Sequence, residues 1–124
     1  MKISEKLNKI KSGEASPPNS PGLTPTPKRN FYSFEYFPPK TQAGVENLLD
    51  RIERMGKTNP LWIDVTWNAG GVTSDITLDL CSHIQNYCGL DVLMHITCTY
   101  MTREKVRDSL DKARDLGIKN ILAL

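Results

Sequence analysis

The chain has 124 residues, 39% hydrophobic and 24% charged, with a formal net charge of +2, an ordinary composition for a soluble chain of at most one domain. No uninterrupted apolar run approaches the ~20 residues needed to cross a bilayer, which excludes a membrane-spanning reading. Cys81, Cys88 and Cys98 are odd in number and unevenly spaced, so a disulfide framework is not expected and a reducing, cytoplasmic setting is.

The charge is unevenly spread: residues 1–30 carry a net +4 and the remainder a net −2. A nucleic-acid partner is not expected, because no folded segment after Arg29 interleaves Lys and Arg with aromatic residues. Ile3, Leu7 and Ile10 fall at helical spacing, enough for a short, marginal amphipathic turn at most. From Ser12 to Pro27 the chain is rich in Pro, Ser, Thr and Gly and has too little apolar surface to offset the entropy of ordering. Residues 1–29 are therefore expected to be a disordered basic tail. Ser16-Pro17, Ser20-Pro21, Thr24-Pro25 and Thr26-Pro27 are candidate sites for a proline-directed kinase, each phosphate adding roughly −1.5 to −2 charges. The competing reading is a Pro-rich linker with incidental Ser-Pro pairs. A transit peptide fits less well, since the tail favours Lys over Arg and contains Glu5 and Glu14.

After Asn30 the pattern alternates between strand and helix. Phe31 to Tyr36 reads as a first strand. Thr41 caps a helix with the stripe Val45, Leu48, Leu49, Ile52 and Met55, stopped by Gly56. Leu61 to Trp67 is a second strand, and the Gly-bearing turn NAGGVTSD leads to a helix with Ile76, Leu80, Ile84 and Tyr87 inward, ended by Gly89. Asp91 to Thr99 is a third strand. Thr102 opens a helix with Val106, Leu110 and Ala113 inward and Gly117 at its end, and KNILAL begins a fourth strand. This is the grammar of a parallel sheet with helical crossovers.

Period-two alternation sorts the strand residues into two faces. Tyr32, Phe34, Tyr36, Leu61, Ile63, Val65, Val92, Met94 and Ile96 make one apolar face suited to packing under helices. The opposite face carries Phe31, Ser33 and Glu35, then Trp62, Asp64 and Thr66, then Leu93, His95 and Thr97. That face becomes polar toward the C-terminal ends of the strands, where parallel α/β folds bind ligands. Glu35, Thr66 and His95 are expected side by side at that rim, with Pro38-Pro39 fixing an extended exit from the first strand. Separately, each has a plainer reading: a solvated glutamate, a satisfied interior histidine, a common strand threonine. A zinc site from Cys81, His83, Cys88, His95 and Cys98 is disfavoured by the lack of a CxxC pair, and NAGG lacks the pattern of a phosphate-binding loop.

FEYFPPKT, WIDVTW, HITCTYMTREKV and GIKNILAL, in this order and spacing, resemble the N-terminal part of the catalytic domain of the methylenetetrahydrofolate reductase family over about Asn30 to Leu124. The resemblance implies an α/β fold of the TIM (β/α)8 type, of which residues 30–124 would supply about the first four strands. It also implies bound FAD, NADPH (or NADH) as electron donor, and 5,10-methylenetetrahydrofolate as the substrate reduced to 5-methyltetrahydrofolate. Carried over residue by residue, the catalytic glutamate of the family matches Glu35, a general acid toward the folate. A carboxylic acid does this near neutrality only where burial or neighbours raise its pKa from ~4.3, and Phe34, Tyr36 and Phe37 are expected to supply that desolvation. The stretch Glu35, Tyr36, Phe37, Pro38, Pro39 and Lys40 matches the family segment lining the nicotinamide and folate side of the flavin. Thr66, Trp67 and His95 match residues at the flavin, and Leu124 matches the last apolar residue before the family's flavin-binding Arg-Gly-Asp turn.

A closed eight-stranded barrel needs ~250 residues, so the sequence is expected to be a fragment of a longer product, inactive alone, ending inside a strand. The Ser/Thr-rich tail resembles the extension of longer members, which suggests a phosphorylation-regulated enzyme, homodimeric at full length. Two other readings stand beside this one. One is a TIM-barrel glycosidase using Glu35 with Asp64; the other is a truncated, non-catalytic regulatory or binding product.

Overall fold

Parallel strands cannot be joined by a tight turn; each needs a crossover that carries the chain back to its starting edge. The chain does this three times. The computed structural model describes residues 1–13, 30–67 and 74–124; the Ser-Pro and Thr-Pro pairs of the tail and most of the NAGGVTSD turn lie outside the described residues. The elements are α1 (Ile3–Ser12), β1 (Phe34–Tyr36), α2 (Gln42–Gly56), β2 (Ile63–Val65), α3 (Ser74–Tyr87), β3 (Val92–Ile96), α4 (Arg103–Asp115) and β4 (Ile121–Ala123). The strands form one four-stranded parallel sheet in the order β1-β2-β3-β4.

Sequential order matters. Right-handed crossovers that always step in the same direction lay every crossover helix on the same face of the sheet, whereas a doubly wound sheet reverses its order and is covered on both. The observed sheet is accordingly two-faced. Tyr36, Ile63, Val65, Trp67, Val92, Met94 and Ile96 join Leu48 and Ile52 of α2, Leu78, Leu80, Cys81 and Ile84 of α3, and Ala113 of α4 in one buried cluster. No helix among the described residues lies on the opposite face. An α/β sheet built this way is consistent with part of a (β/α)8 barrel, in which the bare face would line the interior.

The expected helix starts hold: Thr41 Oγ1 accepts from the Gly44 N–H at 3.0 Å and Thr102 Oγ1 from the Lys105 N–H at 3.3 Å. Gly89 and Gly117 take the left-handed conformation, at φ of 66° and 76°. Gly56 does not. It is the last residue of α2, followed by a right-handed cap at Lys57, and the left-handed residue is Asn59. What Gly56 provides is clearance, since a Cβ there would lie 2.9 Å from Leu90 Cδ1.

Two inward assignments are corrected. Tyr87 is 80% exposed and stacks on His83 at 4.7 Å between ring centroids; Leu80 and Ile84 are buried as expected, together with Thr77, Leu78 and Cys81, and Cys88 is partly buried beyond them. Leu110 is 38% exposed, because α4 packs through the smaller Ser109 and Ala113. The strands are shorter than the alternation predicts. β3 stops at Ile96 because Thr97 Oγ1 captures the Thr99 N–H at 3.2 Å and the Cys98 carbonyl captures the Met101 N–H at 3.0 Å, a local turn that competes with the ladder. β1 and β2 have isolated bonds at both ends, from Leu61 N–H to the Tyr32 carbonyl and from Thr66 N–H to the Tyr36 carbonyl.

The N-terminal segment departs most from expectation. In place of a marginal turn, Ile3–Ser12 forms a ten-residue helix closed by Gly13 in the left-handed conformation. Docking explains it. Asn120, just before β4, accepts the Ile3 N–H on Oδ1 at 2.8 Å and donates from Nδ2 to the Val92 carbonyl at 3.1 Å. Lys6 Nζ donates to the Leu61 carbonyl at 3.0 Å and pairs with Asp91 at 2.5 Å, and the Met1 amino group reaches the same carboxylate. Leu61, Asp91 and Asn120 precede β2, β3 and β4, so α1 lies across the N-terminal ends of three strands, opposite the polar rim. Tertiary contacts rather than propensity hold such a short helix. No described helix is long and apolar enough to cross a membrane.

Burial raises the Asp91 pKa, but the bonds and charges of Lys6 and the terminal amine outweigh it and hold the carboxyl below its ordinary 3.8. A depressed carboxylate pKa stabilises the fold above the ordinary value, and that contribution is lost as pH falls through the folded one. Acidification below about pH 4 is therefore expected to loosen α1 ahead of the sheet, and Asp91→Ala to loosen it at neutral pH at a cost of roughly 1–2 kcal/mol. Hydrogen exchange of residues 3–12 reads both; unchanged protection in the variant would contradict the docking role. A second expectation concerns Gly44, where a Cβ would lie 2.8 Å from Pro39 Cβ and 3.0 Å from Thr41 Oγ1. Gly44→Ala should lower the denaturation midpoint although helix propensity alone favours it by about 1 kcal/mol, because Pro39 or the cap must move.

Candidate active site

The bare face is built from residues that alternate with the core. The register pairs Glu35 with Asp64 and Asp64 with Leu93, and pairs His95 with Leu122. Val65 pairs with Met94, so Thr66 continues into the row of His95 and Leu122. Glu35 thus sits one row below Thr66 and His95, beside Asp64. All four share a face, but in two tiers rather than one rim.

Direct contact joins the middle of this face. Asp64 and His95 are 8% and 7% exposed. The indole Nε1–H of Trp62 donates to Asp64 Oδ2 at 2.7 Å, and His95 Nε2 lies 3.2 Å from Asp64 Oδ1. Phe31 packs its ring 5.9 Å from that of Trp62. A carboxylate out of water is costly unless each oxygen has a donor, and here each does. The sequence places Asp64 on this face and gives it a role only beside Glu35 in the glycosidase reading, not as a partner of His95. Its signal was available: an acidic residue between Ile63 and Val65 in a central strand needs a partner.

Glu35 is solvent-exposed. The expectation that Phe34, Tyr36 and Phe37 desolvate it is corrected, because Phe34 and Tyr36 lie on the opposite face and Phe37 is 72% exposed. Tyr36 is anchored under α2, its hydroxyl 3.1 Å from Met55 Sδ; burial pushes its pKa up, against the opposing charge of Arg51. Pro38 is buried, Pro39 lies over the first turn of α2, and Lys40 is exposed. Leu124 extends β4 through a bond from its N–H to the Ile96 carbonyl at 2.9 Å, with 67% of its surface exposed.

The C-terminal end of β2 is held from behind by Thr77, whose hydroxyl donates to the Thr66 carbonyl at 3.2 Å. Two polar atoms there, Thr66 Oγ1 and Trp67 Nε1, are buried without a hydrogen-bond partner among the described residues. Unsatisfied buried groups are costly and call for an explanation. Thr66 shares the bare face; Trp67 alternates to the helix side and belongs to the core.

Two of the cysteines are held as thiols by their surroundings. Burial pushes Cys81 up to about 12 and raises Cys88, with the Glu53 charge adding to the latter, and Cys98 is exposed. No group of three or more metal-ligating side chains is gathered among the described residues.

Comparison with known proteins gives this geometry a family. Residues 23–124 match the family model described as methylenetetrahydrofolate reductase. The chain is 48% identical over 96 residues to methylenetetrahydrofolate reductase (NADH) 1 of Zea mays, covering 77% of this chain and 16% of that one. It is 43% identical over 126 residues to methylenetetrahydrofolate reductase 2 of Saccharomyces cerevisiae, covering 100% of this chain and 19% of that one. A protein of Caenorhabditis elegans named probable methylenetetrahydrofolate reductase (NADPH) is 31% identical over 102 residues, covering 78% of this chain and 15% of that one. The chain thus spans less than a fifth of the length of these relatives. With a family model matched over residues 23–124, the chain belongs to the methylenetetrahydrofolate reductase family.

Proposed function

We propose that the bare face of this sheet forms part of the site at which the full-length protein reduces 5,10-methylenetetrahydrofolate to 5-methyltetrahydrofolate, with FAD as bound cofactor and a reduced nicotinamide dinucleotide as donor. The observation that carries the reading is the row of Glu35 and Asp64 with Thr66 and His95 above it, on the face that no described helix covers. In a closed (β/α)8 barrel that face is interior, and the C-terminal strand ends form the site.

The residues present fit a flavin. Thr66 Oγ1 is a buried hydroxyl without a partner among the described residues, and the polar groups of FAD supply both donors and acceptors. Thr66 and His95, with the main chain around Leu124, would hold the cofactor, while Glu35 and the Tyr36-to-Lys40 exit line the side where substrate enters. FAD, when bound, carries two electrons from the nicotinamide to the folate. NADPH is the expected donor from the tail's likeness to longer members, while the maize relative's name specifies NADH.

Glu35 is the general acid. The imidazolidine ring of the folate opens when its bridging carbon parts from one nitrogen; that nitrogen takes a proton from the Glu35 carboxyl as the bond breaks. The remaining carbon–nitrogen bond becomes an iminium, and a hydride added to its carbon gives the methyl group. Since Glu35 is exposed in the chain itself, the water exclusion that a general acid needs comes from the ligands stacked against it rather than from the neighbouring aromatics.

Homodimerisation at full length and phosphorylation of the tail by a proline-directed kinase belong to the same proposal. A kinase acting there would change the sign of a segment that begins with Lys2, Lys6, Lys9 and Lys11.

The decisive experiment separates the two half-reactions. In the flavin-loaded protein, Glu35→Gln should slow formation of 5-methyltetrahydrofolate by on the order of a hundredfold or more, while reduction of the flavin by the nicotinamide keeps its rate. Methyltetrahydrofolate formation at the normal rate would refute the assignment of Glu35.

A further inference from the structure

Asp64 is the buried charge to which the proposed chemistry gives no part. Its two oxygens are committed to different donors, Oδ2 to the Trp62 indole N–H at 2.7 Å and Oδ1 to His95 Nε2 at 3.2 Å. The identity of these groups fixes the direction of both bonds. An indole nitrogen only donates and a carboxylate only accepts, so His95 must carry its proton on Nε2. A neutral imidazole then has Nδ1 as an acceptor, and Nδ1 forms no hydrogen bond among the described residues.

We propose that Trp62 and Asp64 form a directional relay that locks His95 in its Nε2–H tautomer and offers Nδ1 to a ligand that donates a hydrogen bond. Asp64 is thereby a positioning residue for the cofactor site, acting through His95. The inference rests on the reading of the bare face as a flavin site, and the groups on FAD that Nδ1 suits are its neutral donors, ribityl hydroxyls and the ring N–H. A histidine whose second nitrogen is held by a carboxylate has both its tautomer and its ring plane set from behind. Trp62 in turn holds the carboxylate, its ring propped by Phe31.

The donor–acceptor logic gives the proposal an unusual test. Replacing Asp64 by Asn keeps the shape but turns one oxygen into an NH2. The indole N–H can accept nothing, so the amide oxygen must stay with Trp62 and the NH2 must face His95. Nε2 then has to accept, and the proton moves to Nδ1. Removing the indole N–H as well, in W62F/D64N, frees the amide to turn its oxygen back toward His95.

Long-range proton–nitrogen correlation spectra of 15N-histidine-labelled, flavin-loaded protein report the tautomer directly, with the His95 signal assigned by its loss in His95→Gln. The native protein should show the Nε2–H form, D64N the inverted form with flavin held about tenfold less tightly, the scale of one hydrogen bond. W62F alone should keep the native tautomer, and W62F/D64N should recover both tautomer and flavin affinity. Recovery by a second change in the same buried cluster is not what simple damage to the fold produces. A doubly protonated His95 in the native protein, an unchanged tautomer in D64N, or a double variant no better than D64N would each overturn the relay. Inversion and recovery of the tautomer in a protein that takes up no flavin would uphold the relay and reject the flavin reading, which keeps the two failures apart.

Discussion

The rest of the molecule follows from one packing constraint: four parallel strands stepping always in the same direction receive all their crossover helices on one face. Ile63, Val65, Val92, Met94 and Ile96 must then be apolar, since each is fully or nearly fully buried against α2, α3 or α4. The alternate residues of the same strands are released from that demand. They are free to carry an acid, a threonine and a histidine because no described helix lies over them. The core and the candidate site are thus written on alternate residues of the same short strands, and a one-residue slip in register would exchange them.

Much of this was legible in the sequence because strands and helices differ in period. The two faces, the caps at Thr41 and Thr102 and the left-handed glycines at 89 and 117 all follow from local rules, and all are present. The misreadings share a cause, which is packing between elements that period alone does not encode. Tyr87 satisfies the helical period but sits at the last turn of α3, beyond the sheet, where stacking on His83 is its available contact. Leu110 satisfies it too, yet α4 approaches through Ser109 and Ala113, whose small side chains permit a closer fit. For α1, amphipathic spacing was visible, but its partners Leu61, Asp91 and Asn120 lie 55 to 117 residues away along the chain. No local window contains them.

The site was legible in kind more than in arrangement. Alternation put Glu35, Thr66 and His95 on one face, but the vertical offset between strands is set by register, and register places Glu35 level with Asp64. Alternation put Asp64 on the same face too, but its contact with His95 depends on that same register. Only when β2 and β3 pair as Val65 with Met94 does His95 come within reach of it. Likewise the aromatic run around Glu35 suggested a dry pocket, whereas the pleat that exposes the carboxylate turns Phe34 and Tyr36 away from it.

The two ends of the sheet carry opposite electrostatic arrangements, and the contrast explains how one strand set serves both purposes. At the N-terminal ends, Asp91 is matched by two cations, and the Asn120 side chain both accepts and donates within the same contact region, so the polar groups there pair within the chain. At the C-terminal ends, Thr66 Oγ1 has no partner among the described residues and Glu35 is open. Binding a ligand at the second end can therefore satisfy groups that folding leaves unsatisfied, without competing for the contacts that hold α1 to the first. Between the two ends lies the Trp62–Asp64–His95 chain, bonded on the side of Trp62 and Asp64 and without a partner at Nδ1 among the described residues. It is the point at which the self-satisfied half of the face gives way to the half that needs a ligand.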